Sequence, residues 1–229
     1  IIDILYGNQY WLLLTESGAV YGFGNNTWNQ FNLPHYRAAT DYSSGQAIYI
    51  SKPEKLDLNS KSIIKMACNK NSAVFLTTCN EVITTGNLAK TSATNLSNIH
   101  TNPSSDLASR WKDIALGDDH FLALCDSGCI YSACYPIEGS GHIIHDATKV
   151  GNHSQLIPVR IFAGKNLSFY CSAGGVAFAT GRNHDNCLGL ESNGYNRSLN
   201  GWKQISRPEH GRICHISSKT SIMPGRQVP

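Results

Sequence analysis

Residues 7–26 read GNQYWLLLTESGAVYGFGNN, and related stretches recur three more times along the chain. The other copies are NKNSAVFLTTCNEVITTGNL at 69–88, GDDHFLALCDSGCIYSACYP at 117–136 and GKNLSFYCSAGGVAFATGRN at 164–183. The four copies align without a gap, and their first residues are 47 to 62 residues apart. Self-similarity of this kind is the signature of a repeat architecture. The chain is therefore predicted to be built from repeated structural units.

Each copy has the pattern of a β-hairpin, with positions counted from its first residue as position 0. Apolar residues recur at +5 and +7, as Leu12 and Leu14 do in the first copy, and this period of two is typical of a strand. Position +11 is Gly18 in the first copy and Gly or Asn in the others, which favours a tight turn with positive φ. A second apolar strand starts at +13, Val20, and ends at +17, Gly24.

A shorter shared piece extends the pattern toward the end of the sequence. WKDI at 111–114 precedes the third copy, and WKQI at 202–205 matches it. We therefore predict that a fifth unit begins near Trp202, with position 0 at Pro208. This unit is degenerate, because Lys219 replaces the hairpin glycine. The prediction is a single all-β domain, or a fragment of one, over residues 1–229, with units at 7, 69, 117, 164 and 208.

The copies resemble the regulator of chromosome condensation repeat. That repeat runs as a Gly-x-x-His turn, an apolar strand, a Gly turn, a Val-Tyr strand and a Gly-x-Asn-x-x-Gly-Gln-Leu-Gly loop. Residues 117–120 carry the turn, and residues 24–32 and 181–189 carry forms of the loop. The resemblance implies a β-propeller built from blades of this type.

The chain also departs from the family pattern. The turn histidine is present as His120, whereas Tyr10, Ser72 and Leu167 occupy its position in the other copies. Propellers of this family usually have seven blades, and five units leave an open ring with exposed edges. Either further blades lie outside this sequence, as its abrupt beginning and end suggest, or the ring closes in an unusual way.

One end of the hairpins is the candidate partner surface. Residues just after position 0 and residues just after +17 lie at the same end of an antiparallel hairpin. Loops on a rigid scaffold often carry binding, although Asn, Asp and Gly also occur in loops for reasons of turn geometry alone. The candidate partner-binding residues are Asn8, Gln9, Trp28, Asp118, Asp119, His120, Lys165, Asn166, Arg182, His184 and Asp185.

Charge and hydropathy disfavour two classes of partner. The net charge of +3 is spread thinly, with no run of Lys or Arg longer than two, which disfavours nucleic acid. No apolar stretch approaches the roughly 20 residues that span a bilayer, so we predict no membrane span.

The cysteines and histidines bear on compartment and metal binding. Several of the eight cysteines occupy strand positions that favour small apolar residues, which predicts a reducing compartment, cytoplasm or nucleus. Five Asn-x-Ser/Thr sequons are the opposing observation, since they would be glycan acceptors in a secreted chain. His142 and His145 favour a solvated loop over a metal site, because no ligand set of recognisable spacing accompanies them. We predict no metal and no cofactor.

Function is predicted through protein binding. The sequence contains no nucleophile elbow, P-loop, dinucleotide fingerprint or zinc-protease helix, so no side-chain catalysis is expected. The sharpest form that the resemblance implies is guanine-nucleotide exchange on Ran or another small GTPase. The alternative is a non-catalytic scaffold or substrate-recognition module, of the ubiquitin-ligase, chromatin-binding or secreted bacterial effector type.

Overall fold

In the computed structural model, the described residues are 1–33, 48–87, 94–95, 110–118, 120–134, 142–145, 156–182 and 198–205. They form four antiparallel sheets of four strands each, and no α-helix occurs among them. None of the described residues belongs to a helix with the length and apolar character needed to cross a bilayer.

Each sheet is built from strands that follow one another in the sequence. Sheet I contains β1 (Asp3–Tyr6), β2 (Tyr10–Leu14), β3 (Val20–Asn25) and β4 (Tyr49–Lys55). Sheet II contains β5 (Ile63–Cys68), β6 (Ser72–Thr77), β7 (Val82–Gly86) and β8 (Thr94–Asn95). Sheet III contains β9 (Trp111–Leu116), β10 (His120–Cys125), β11 (Ile130–Cys134) and β12 (His142–His145). Sheet IV contains β13 (Pro158–Ala163), β14 (Leu167–Ser172), β15 (Ala177–Arg182) and β16 (Ser198–Gln204).

The middle hairpin of every sheet is one copy of the repeat, and all four have the same register. Position +3 pairs with +17 in each, as Tyr10 pairs with Gly24 in sheet I. The predicted turn residues at +11 all have positive φ: 78° at Gly18, 64° at Asn80, 86° at Gly128 and 74° at Gly175. The predicted all-β class and its repeated hairpins are therefore confirmed.

Position +17 favours glycine for two reasons, a positive φ and a lack of space for a Cβ atom. Gly24 has φ +97°, and a Cβ there would collide with the carbonyl oxygen of Gln9 in the turn between β1 and β2. The amide of the next residue, Asn25, donates to the same oxygen at 2.8 Å and so holds the strand close to the turn. Gly86 and Gly181 repeat this conflict against the equivalent turns of sheets II and IV. In sheets I, II and IV a side chain at +17 would push the third strand away from the turn, whereas sheet III has Cys134 at this position.

Neighbouring sheets pack face to face. We call the face that contacts the following sheet the trailing face, and the face that contacts the preceding sheet the leading face. The trailing face of sheet I carries Leu12 and Leu14 from β2, which lie in one buried cluster with Met66, Phe75 and Ile83 of sheet II. The sheet II–III and III–IV contacts repeat this pattern. Burying one such side chain contributes about 1.5–3 kcal/mol, so these contacts are the core.

The position of Trp202 differs from the sequence-based expectation. Trp202 lies in β16, the last strand of sheet IV, and the amide of Ile205 then donates to the carbonyl of Ala177 in the same sheet at 2.9 Å. Trp111, by contrast, begins β9, the first strand of sheet III. The WK pieces at 111 and 202 are thus not equivalent. They look alike in the sequence because an aromatic residue suits both the first and the last strand of a sheet. The fifth unit predicted at 208 lies outside the described residues.

The first strands of the four sheets surround a common cavity. Strands β5 and β9 contact each other, as do β9 and β13. Together with β1 they line a cavity of about 700 Å³. The first strands therefore form an inner layer, and the loops and turns project from the two ends of the sheets.

Candidate functional site

The structure places the turns before β2, β6, β10 and β14 at one end of their sheets, together with the last residues of β3, β7, β11 and β15. We call this the loop end. The tight turns inside the repeats lie at the opposite end, which we call the hairpin end. The described candidate residues lie at this end, either in these turns and loops or, as His120 and Arg182 do, at the strand ends beside them.

On sheet I the loop end presents an exposed amide and aromatic group. Asn8 and Gln9 are exposed, and Gln9 has a positive φ of 62°. The hydroxyl of Tyr49 donates to Oε1 of Gln9 at 3.1 Å, and the Tyr49 side chain is 59% exposed. Tyr49 was missed by sequence reasoning, since it follows a long inter-unit segment with no repeat signal. The pairing of Tyr49 with Asn25 in the sheet is what brings it to Gln9.

The loop after β3 is a packed structure, not an open one. Asn26, Gln30 and Phe31 are almost fully buried. The amide of Phe31 donates to Oδ1 of Asn26 at 2.9 Å, and the Phe31 ring meets Tyr10 edge-on with centroids 5.8 Å apart. Trp28 remains partly exposed at 36%. The loop residues therefore serve mainly to hold this end of sheet I together and to present Trp28.

Asp118 is held against the neighbouring sheet. Its Oδ2 lies 3.3 Å from Nζ of Lys70, and its side chain is only 13% exposed. Its Oδ1 is buried and makes no hydrogen bond within the described part of the chain. Lys70, which sequence reasoning did not single out, occupies position +1 of sheet II just as Asp118 does in sheet III. Equivalent turn positions of adjacent sheets thus form an ion pair.

His120 also contacts the next sheet. Its Nε2 lies 3.0 Å from Oγ of Ser168 in sheet IV, and the residue is half-buried. This contact gives the family's turn histidine an architectural role between sheets III and IV.

Other side chains perform the same bridging task where the histidine is missing. The Tyr10 hydroxyl donates to the carbonyls of Asn69 and Ser72 at 2.9 and 2.8 Å, joining sheet I to sheet II. Nδ2 of Asn69 then donates to the carbonyl of Gly117 at 2.6 Å, joining sheet II to sheet III. At that junction the residue at position 0 makes a contact like the one that the residue at +3 makes between sheets I and II.

Burial controls the ionisation of the first bridge. It raises the pKa of the Tyr10 hydroxyl well above its usual value, with the neighbouring Cys68 adding to the effect. Burial also raises the pKa of the Cys68 thiol to about 12. Both groups are therefore neutral at physiological pH, and Tyr10 keeps the proton that its hydrogen bonds require.

The remaining candidates divide into exposed and undescribed residues. Lys165 and Asn166 are exposed in the turn before β14, and Arg182 ends β15. Asp119, His184 and Asp185 lie outside the described residues. His142 and His145, considered as metal ligands in the sequence, lie in β12, and no cluster of three or more metal-binding side chains occurs among the described residues.

A second charged group lies in the inner layer, four residues before each repeat begins. The residues there alternate in sign: Asp3, Lys65, Asp113 and Arg160. Asp113 is buried and forms an ion pair with Lys65 of sheet II. Its Oδ1 also accepts the amide of Ile114 at 2.8 Å, and its Oδ2 accepts the amide of Ile161 in sheet IV at 3.1 Å. One carboxylate thus connects three sheets across the cavity wall.

Comparisons with solved structures assign the fold. Human WBSCR16 superposes with a TM-score of 0.68 and 18% identity, over 90% of this chain and 53% of that protein. Yeast RCC1 (Prp20), solved with Kap60, gives 0.63 and 17%, over 90% and 48%. Prp20p from Saccharomyces cerevisiae, described with its binding properties to Gsp1p and histones, gives 0.62 and 17%, over 90% and 50%. No family model matches the sequence, and no curated protein does.

The four sheets are therefore blades of a β-propeller. More specifically, the chain has the RCC1-like repeat fold, as the Gly-x-x-His turn and its neighbouring motifs predict. The chain spans about half the length of these solved propellers.

Proposed function

We propose that this chain is a protein-binding propeller whose loop end receives a small GTPase and accelerates its nucleotide exchange. The observation that carries the proposal is the loop end of sheet I, where Gln9 and Tyr49 form an exposed, hydrogen-bonded pair on a rigid scaffold. The structural likeness to Prp20p, described as binding Gsp1p and histones, supports a protein partner of this class.

The chemistry of exchange suits such a surface. A partner need only hold the GTPase in a form whose phosphate and magnesium site is distorted, and this requires binding energy but no nucleophile. Aromatic side chains supply much of the energy at protein interfaces, and Tyr49 and Trp28 are two exposed aromatic residues at this end. Lys165 and Asn166 extend the exposed surface across sheet IV.

The bridging residues are poor probes of this proposal. Replacing His120 or Asp118 would break a contact between sheets, so a loss of activity would have two explanations. The informative change is Gln9→Ala with Tyr49→Ala, because both side chains are exposed. Glu16→Ala with Asp126→Ala is the matched control, since these exposed residues lie at the hairpin end.

The test is release of a fluorescent GDP analogue from purified small GTPases, Ran included, with catalytic amounts of the chain. We expect acceleration by the wild-type chain and the hairpin-end control, with a loss of at least about tenfold in the Gln9/Tyr49 variant. A GTPase that binds in a pull-down without faster release would favour the non-catalytic scaffold. Neither binding nor acceleration across the panel, by folded protein, would overturn the proposal.

We also propose a reducing compartment for this function. Cys68, Cys79, Cys125, Cys129 and Cys171 form no disulfide within the described part of the chain, and three of them, Cys125, Cys129 and Cys171, are buried in the core. Buried cysteines of this kind act as small apolar residues. Mass spectrometry of the protein purified with a thiol-blocking reagent should find these five residues unpaired.

A further inference from the structure

The tight turn of sheet III carries two cysteines that face each other. Leu124 pairs with Ile130 across β10 and β11, so Cys125 and Cys129 are the next opposite pair toward the turn. The amide of Cys125 donates to the carbonyl of Cys129 at 3.0 Å, and both side chains belong to one buried cluster. Opposite residues of an antiparallel pair have Cα atoms about 4.5–5.5 Å apart, which is within the range that a disulfide bridges.

The side chain of Ser127 contacts both sulfur atoms. Its Oγ lies 2.8 Å from Sγ of Cys125 and donates to Sγ of Cys129 at 3.6 Å. The Cys125 thiol donates to the carbonyl of Cys129 at 3.3 Å. Cys125 and Cys129 are 3% and 5% exposed, whereas Asp126 and Ser127 between them are exposed. The two thiols therefore lie close together, directly below the surface of the turn.

The other three turns show that the thiol pair is not needed to form the turn. In sheets I, II and IV the residue at +8 has a hydroxyl oxygen that accepts the amide of the residue at +12, at 3.0–3.2 Å: Thr15, Thr77 and Ser172. Sheet III is the only one of the four with a cysteine at either position, and it has one at both. Since a hydroxyl is sufficient for the turn, the paired thiols point to chemistry of their own.

We infer that Cys125 and Cys129 form a reversible redox pair, which closes to a disulfide when hydrogen peroxide oxidises it. In closure the S–S bond forms and the O–O bond of the peroxide breaks. Two electrons pass from the sulfur atoms to the oxygen atoms, and the two thiol protons complete two water molecules. In reopening, two glutathione molecules return two electrons and two protons and leave as glutathione disulfide.

The surroundings of the pair set the conditions for closure. Burial raises the pKa of the Cys125 thiol, although its hydrogen bond with Ser127 opposes this rise. Because the thiolate is the reactive species, the pair stays reduced at neutral pH until peroxide accumulates. The closed loop is short, so the disulfide gains little from chain entropy and is readily reduced again.

The test is oxidation of the folded chain by hydrogen peroxide, followed by denaturation, alkylation of the remaining thiols and mass spectrometry. A Cys134→Ser background removes the third cysteine of sheet III, and cleavage before Asp126 separates Cys125 from Cys129. We expect a disulfide to join the two fragments, with alkylation of both cysteines lost after peroxide and recovered after glutathione. Cys171 is the internal control, because it is 2% exposed and pairs with Ala177. Its alkylation should be unchanged.

Two variants remove one member of the pair and keep the turn. Cys129→Ala introduces the residue that sheet I has at +12, and Cys125→Ser introduces the residue that sheet IV has at +8. In each variant the remaining cysteine should lose its reversible protection from alkylation. Separate fragments after oxidation of the folded chain, or protection that persists in both variants, would overturn the inference. The redox pair lies at the hairpin end, so this test is independent of the proposed GTPase contact at the loop end.

Discussion

The junction between sheets I and II and the junction between sheets III and IV solve one problem with different chemistry. The first uses a fully buried phenol, Tyr10, which donates to two backbone carbonyls. The other uses a half-buried imidazole, His120, which meets a side-chain hydroxyl, and a buried carboxylate, Asp113, which accepts the amide of Ile161. Position +3 therefore provides a contact with the next sheet at these two junctions, through two different residue types.

The difference between the junctions predicts which substitutions reduce the free energy of unfolding most. Deleting the Tyr10 hydroxyl removes one proton that is shared between the carbonyls of Asn69 and Ser72, and the Ser72 carbonyl still accepts the amide of Asn69. Deleting the Asp113 carboxylate removes the acceptor of two amides and the partner of Lys65. Burial increases both penalties, because water cannot replace the lost contacts.

Asp113→Ala should have the largest effect. It removes the acceptor of the Ile114 and Ile161 amides, while the ammonium of Lys65, which is 42% exposed, can turn to water, so we expect a loss of about 3 kcal/mol in the free energy of unfolding, mostly from the two amides. Urea denaturation followed by tryptophan fluorescence measures it. Glu81→Ala is the control, because its ion pair with Lys61 is partly solvated and should cost below about 1 kcal/mol. Equal losses in the two variants would contradict the role of Asp113 between sheets.

Tyr10→Phe tests the neutral bridge. The ring and its contact with Phe31 are retained, while the hydrogen bonds to the carbonyls of Asn69 and Ser72 are lost. We expect a loss of about 1–2 kcal/mol in the free energy of unfolding, measured by the same denaturation. Tyr21→Phe is a matched control on the same sheet, since Tyr21 is half-exposed. If Tyr10→Phe lost no more than this control, the hydrogen bonds of the Tyr10 hydroxyl would not be stabilising the junction.

His120→Ala should cost less, about 1 kcal/mol, because the imidazole is half-buried and water can replace part of its contact with Ser168. Ser168→Ala should give a similar loss, and the double variant should lose less than the sum of the two. A double-mutant cycle measures this coupling. Strictly additive losses would mean that the two side chains do not stabilise each other.

Alkaline pH should weaken the first junction, with no effect at neutral pH. The Cys68 thiol has a pKa of about 12 in the folded chain and an ordinary value of 9.0. Between these pH values the unfolded chain releases the proton and the folded chain keeps it. The stabilisation is thus complete below pH 9 and is lost as the pH rises toward 12, and Tyr10 acts in the same direction. Cys68→Ala should flatten the measured decline, and an unchanged slope would show that Cys68 is not its source.

The sequence predicted the repeated hairpins because their information is local. The alternation at +5 and +7, the turn glycine at +11 and the glycine at +17 are each consequences of strand geometry within twenty residues. All four hairpins accordingly form with the predicted turn position, and they have one common register. The interpretation of Trp202 as the start of a unit was wrong, because the information it needed is not local. The sequence of a strand does not show whether it is the first or the last strand of its sheet.

The candidate site was predicted less completely. Asn8, Gln9, Lys165 and Asn166 are exposed at the loop end, but the predicted His120 and Asp118 also join sheets. Tyr49 was missed because its contact with Gln9 spans forty residues of sequence. Whether these residues bind a partner remains a prediction.

By itself the sequence determined the period of the repeat, the class of fold and the end of each hairpin at which the loops gather. Only the tertiary structure decided which residues at that end are free to meet a partner and which are used between sheets. The physical reason is distance along the chain. Strand pairing depends on residues a few positions apart, whereas the hydrogen bonds of Tyr10, Asn69 and His120 join residues 48 to 62 positions apart, whose meeting depends on the packing of whole sheets.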